Sequence, residues 1–95
     1  TEALRGLRVE LARARAAFLI ARVAMRLRRV DVEHANRALA SERARYAAGR
    51  ATINDVLEDE ATLRRLTEQR ELAALQALGA WIQFQLARGG AISLR

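Results

Sequence analysis

Leu4, Leu11, Phe18, Met25, Val32, Leu39 and Tyr46 recur every seven residues through the first half of the chain, and all are apolar or aromatic. Three residues after these come Leu7, Ala14, Ala21, Arg28, Ala35 and Glu42, half of them alanine. A seven-residue repeat held this long puts both sets on one side of a helix. It predicts a coiled-coil seam whose alanines let a partner helix approach closely.

A second stripe, Ala16, Ile20, Val23, Leu27 and Val30, falls on a different side of the same helix. One seam satisfies a two-helix coiled coil. A helix apolar on two sides needs neighbours on both, as in a bundle or a closed ring of helices. The second half repeats the arrangement. Ala74, Ala77, Trp81 and Phe84 form one expected stripe, and Leu72, Leu75, Gly79, Ile82 and Leu86 form another.

Between the halves lies ERARYAAGRATINDVLEDEATL, residues 42–63. Gly49 is the only glycine between Gly6 and Gly79, and the chain has no proline. Glycine supplies the left-handed conformation that ends a helix cheaply. Thr52 fits the cap of the next helix, and Asp55 can reach back to it or favour the positive helix end. Ile53, Val56 and Leu57 open the new apolar face. The expected fold is all-α: one long antiparallel helical hairpin over residues 1–95, belonging to a larger α-helical barrel or bundle. Its helices run from about residue 3 to 47 and from about 53 to 88, with a turn at 48–52 and an irregular tail at 89–95. Folding at Gly49–Arg50 brings residues 16–32 opposite roughly 70–86, with helices ~68 Å long. A hairpin of that length cannot bury two faces of each helix by itself.

Composition narrows the function classes. Hydrophobic residues make up 52% of the chain, but only Phe18, Tyr46, Trp81 and Phe84 are aromatic. There is no cysteine and one histidine, His34, which removes thiolate and multi-histidine metal sites. His34 stands off the seam and is expected to be exposed. Residues 1–50 hold twelve arginines against five acids, and residues 51–95 five against six. The arginines are spread without interleaved aromatics, so a solvated helix face is the reading, and no nucleic acid is expected as a partner. No stretch is long and apolar enough for a membrane span, and no signal-peptide pattern is visible. Ser41 and Thr62 lack a histidine–acid partner pattern, so no catalysis and no cofactor are expected. The chain opens on Thr1 and is expected to be a piece of something longer.

RYAAGRATINDVLEDEATL resembles the turn tip of the coiled-coil hairpin in the TolC-like outer-membrane efflux protein family. The family pattern is a tyrosine, a glycine three residues on, a threonine three beyond that, then Asp-Val-Leu and an acid. Tyr46, Gly49, Thr52, Asp55, Val56, Leu57 and Glu58 match it. Flanking VEHANRALASERARY and ATLRRLTEQRELAALQALGAWIQFQLARGG also resemble the family's helices. The resemblance implies a periplasmic tunnel segment of a Gram-negative outer-membrane channel, a passive export conduit assembled as a trimer. Its tip, Ala47, Ala48, Gly49, Arg50, Ala51 and Thr52, would dock a periplasmic adaptor (membrane fusion) protein and, through it, an inner-membrane pump. Asp55 and Glu58 would face the pore entrance, and Tyr46 would help hold it closed through hydrogen bonds between helices.

Each residue also has a plainer role. Asp55 is first a capping carboxylate, Tyr46 first a seam residue, and Glu58, Asp59 and Glu60 first a solvated face. The chain departs from the family in carrying Asp59 and Glu60 where Ala-Gln is common, and Arg50 one place early. It also holds one hairpin rather than two, and no strands for a membrane barrel. Outside a parent assembly the hairpin is expected to dimerise as a four-helix bundle, hiding the stripes around Val23 and Trp81. The alternative reading is a free-standing coiled coil that serves oligomerisation.

Overall fold

The structure, a computed structural model, describes residues 1–93. Helix α1 runs Glu2–Ala47 and helix α2 Ile53–Ser93, joined by a short turn. The fold is a helical hairpin. Thr1 caps α1: the Leu4 N–H donates to Thr1 Oγ1 at 3.3 Å and the Arg5 N–H to the Thr1 carbonyl at 3.0 Å. α2 continues through Gly89 and Gly90, where an irregular tail was expected. Two glycines weaken a helix by roughly 1 kcal/mol each but end it only if one turns left-handed, and neither has a positive φ. Of the expected tail, Leu94 and Arg95 lie outside the described residues.

The chain divides into two compact units. The turn unit is Arg26–Leu72; the terminal unit is Thr1–Met25 with α2 from Ala73 on. In the turn unit Val32, Ala35 and Leu39 on α1 and Val56 on α2 are the buried seam residues, with Leu63 and Leu66 half-buried on α2. Burying a valine or leucine there contributes about 1.5–3 kcal/mol. Arg28 occupies a seam position yet is exposed, because its guanidinium swings out to Asp31 at 3.3 Å.

In the terminal unit α1 presents Leu7, Leu11, Ala14, Phe18, Ala21 and Met25 to α2, all half-buried as the seven-residue repeat requires. The α2 side of that seam is Ala73, Ala77, Ala80, Phe84 and Ala87. The expected stripe of Ala74, Ala77, Trp81 and Phe84 is therefore corrected in part. Ala77 and Phe84 pack inward, whereas Ala74 is exposed and Trp81 is 45% exposed. Continuing the repeat from Val56 and Leu63 reaches Ala77 and Phe84, which leaves Trp81 on the seam's edge. Phe18 and Phe84 stack at 5.8 Å between ring centroids, with Arg22 and Arg88 over their outer faces at 5.6 and 5.7 Å. The ring pair is worth about 0.5–1.5 kcal/mol beyond area, and each exposed cation–π contact about 0.5–1 kcal/mol.

The terminal unit is built with small side chains inside and large ones outside. Ala73 and Ala77 are its buried residues, while Ile20, Val23, Leu75, Leu78 and Leu86 are each more than half exposed. Hydrophobic burial favours the reverse distribution in a self-sufficient fold.

Candidate functional site

Two features carry functional information: the turn and the outer faces of the helices. The turn is held by its own backbone. Gly49 adopts φ 75°, the one left-handed residue in the described chain. The Arg50 N–H donates to the Arg45 carbonyl at 2.7 Å and the Gly49 N–H to the Tyr46 carbonyl at 3.0 Å. This six-to-one and five-to-two pair is the Schellman termination, which satisfies the carbonyls a helix end leaves open. Arg45 adds a longer contact, its Nη2 donating to the Arg50 carbonyl at 3.4 Å.

The next helix starts as firmly. The Asp55 N–H donates to Thr52 Oγ1 at 3.2 Å, and the Thr52 N–H donates to Asp55 Oδ2 at 3.0 Å. This reciprocal box occupies two amides that would otherwise lack partners. The hydrogen bonds from Thr52 hold the Asp55 carboxyl below its ordinary value of 3.8, with a smaller contribution from the Arg45 charge. The capping role read from the sequence for Asp55 is what the geometry contains.

The remaining tip residues fall where the chain order puts them. Ala47, Ala48, Gly49, Arg50 and Thr52 are exposed, and Ala51 is half-buried. Tyr46, expected first as a seam residue, is 47% exposed. It sits in the last turn of α1, where the partner helix is only beginning. Glu58 is exposed on α2. The structure brings Thr52 and Asp55 together; it does not join Tyr46 or Glu58 to them by a side-chain hydrogen bond among the described residues. A contact the sequence reading missed is Arg43 Nη2 to Glu60 Oε1 at 3.1 Å, from helix to helix. Its signal was the pairing level itself, which sets residue 43 beside 60.

The outer faces form two series. On α1, Ile20, Val23, Leu27 and Val30 are exposed, as the second stripe predicts. On α2, Leu72, Leu75, Ile82 and Leu86 are exposed likewise, by 44% to 66%. In the turn unit these same helix sides turn polar beyond Val30 on α1, with His34, Arg37 and Ser41, and between Leu57 and Leu72 on α2, with Glu58, Arg65 and Glu68. Grooves flank the seam, one of about 410 Å³ beside Glu10, Arg13 and Gln83 and one of about 640 Å³ beside Arg43, Glu60 and Glu68. Neither gathers an acid–base–nucleophile set. Among the described residues no helix is long and apolar enough to cross a membrane. Comparison of the chain with protein-family models, with curated proteins and with solved structures gives no match.

Proposed function

We propose that this hairpin is a wall element of a helical tunnel, the periplasmic segment of an outer-membrane efflux or secretion channel whose turn docks an adaptor protein. The observation that carries the reading is the angle between the two apolar faces. At 100° per residue, the Ala16–Ile20–Val23 stripe stands about 160° round α1 from the Ala14–Phe18–Ala21 seam. On α2 the Leu75–Gly79–Ile82–Leu86 stripe stands about 160° from the Ala73–Ala77–Ala80–Phe84 seam by the same count. In a compact four-helix bundle a helix meets its neighbours about 90° apart, and in a ring of twelve about 150° apart. Faces so nearly opposite suit helices set side by side in a wide wall. The capped, exposed turn supplies a rigid apex, as docking requires.

On this reading Asp55 and Glu58 stand near the entrance and the channel is passive. Trimeric assembly, the adaptor and the periplasmic setting belong to the same proposal and come from the resemblance of the turn motif. The coding sequence on either side of residues 1–95 tests it. It is expected to encode a second hairpin with a similar turn, and strands of alternating pattern. An open reading frame that holds this hairpin alone removes the channel reading and leaves the free-standing bundle. That second reading draws on one observation of its own: the outer faces turn polar along much of the turn unit, beyond Val30 on α1 and between Leu57 and Leu72 on α2.

A further inference from the structure

One broad side of the terminal unit collects unpaired arginines. Arg8, Arg15 and Arg22 follow one another at seven-residue steps on α1, which returns them to the same side of the helix every ~10.5 Å. Arg22 stands four residues after Phe18 and Arg88 four after Phe84, and their guanidiniums lie over the stacked rings at 5.6 and 5.7 Å. The stack sets Arg88 within one residue of the level of Arg15. In the turn unit the same two positions of the repeat hold Arg43 and Glu60, which meet across the seam at 3.1 Å. The terminal unit has arginine where that pair has glutamate, and like charges facing each other across a seam repel.

All four arginines are exposed, and none of them enters an ion pair among the described residues. The acids of the terminal unit are Glu2 and Glu10. Glu2 is engaged by Arg5 at 3.6 Å, and Glu10 lines the groove on the opposite broad side with Gln83. Beside the arginines stand Trp81 and Leu78, 45% and 53% exposed. Arginine and tryptophan are among the side chains that dominate the energetic centres of protein interfaces. The charge complement of this side is a helix with a carboxylate at every seventh position. Its carboxylates recur at the same ~10.5 Å step, and each can accept two hydrogen bonds from one guanidinium. A duplex nucleic-acid strand instead rises ~3.4 Å per phosphate and winds away from a straight row. A second copy does not supply the match, because no two of the chain's 11 acids are seven residues apart.

We infer that the Arg8–Arg15–Arg22–Arg88 side of the terminal unit seats an acidic helix of a partner protein, with carboxylates at seven-residue steps. Apolar residues next to those carboxylates cover Trp81 and Leu78. The inference goes beyond the wall reading, which leaves both broad sides open, and does not depend on it.

The probe is a fluorescently labelled synthetic helix with glutamate at every seventh position and leucine beside it. Its control has the same composition with the glutamates at uneven steps. Titrated with the full chain and followed by anisotropy, the regular helix is expected to bind about tenfold more tightly than the control. Arg8→Gln combined with Arg15→Gln is expected to weaken that binding about tenfold. Neither side chain makes a contact in the fold, so helical content and melting stay unchanged. Arg5→Gln combined with Arg13→Gln removes the same charge from other sides of α1, and is expected to leave the affinity within about twofold. Equal binding of the two peptides, or an equal loss from the two variant pairs, overturns the proposal. It is also overturned if the Arg8 and Arg15 changes weaken binding to duplex DNA or to phosphatidylglycerol vesicles more than binding to the peptide.

Discussion

Gly49 and Asp55 concentrate the residue-scale chemistry at the turn. A β-branched side chain at φ 75° forces Cβ against the following carbonyl, a conformation about 1–2 kcal/mol unfavourable for an L-residue. Gly49→Val is therefore expected to lower the urea midpoint by a matching amount with an unchanged slope. In the channel reading it also weakens capture of the adaptor's hairpin. The depressed Asp55 carboxyl gives a pH signature. Because the folded value lies below the unfolded one, its contribution is fully present above about pH 4 and is lost as pH falls through the folded value. Acid titration followed by circular dichroism is expected to show this component in the native chain. In Asp55→Asn, which keeps an acceptor for the Thr52 amide but cannot ionise, that component is absent. An identical acid profile for the two proteins refutes the assignment. This corner was legible from sequence because its chemistry is local: a left-handed glycine and a Thr-x-x-Asp box need no tertiary information.

At the scale of the helices, the α1 seam was legible and the α2 seam only partly so. Polar residues on the far side of α1, such as Arg37 and Ser41, mark its phase. From Leu72 to Ala87 the sole polar residues of α2 are Gln76, Gln83 and Gln85, so several phases fit, and the choice of Trp81 over Ala80 for the seam followed. Phe18, on which Phe84 packs, and the upstream run through Val56 and Leu63 set the phase, and these lie outside that window. The helix end was misread for a different reason, since the Gly89–Gly90 pair supplies propensity but no left-handed stop. The seam and the cross-helix ion pair should differ sharply in weight. Leu39 is 4% exposed, and Leu39→Ala is expected to cost about 2–3 kcal/mol, towards the low end of core truncations because solvent borders the site. The Arg43 and Glu60 side chains are 60% and 36% exposed, and a double-mutant cycle on them is expected to give about 0.2–1 kcal/mol. A larger coupling would mean the turn unit leans on electrostatics rather than on its seam.

For the whole molecule, the open choice is between a compact four-helix dimer and a wider ring, and Trp81 distinguishes them. It is the chain's only tryptophan, 45% exposed at the edge of the α2 seam rather than on the outer stripe. In a compact bundle the second hairpin covers one broad side of the first. The side with Trp81 and Leu78 is the more apolar, because the opposite edge of α2 carries Gln69, Gln76 and Gln83. Dimerisation in that form buries the indole, shifts its emission to the blue and shields it from acrylamide. In a ring each hairpin meets its neighbours through the outer stripes, about 160° from the seam on the 3.6-residue turn, and both broad sides stay open to solvent. Trp81 then remains nearly as quenchable in the assembly as in the dilute chain, while sedimentation reports a mass that climbs beyond two copies. The ring reading fails if protection of Trp81 rises in step with a mass that stops at two.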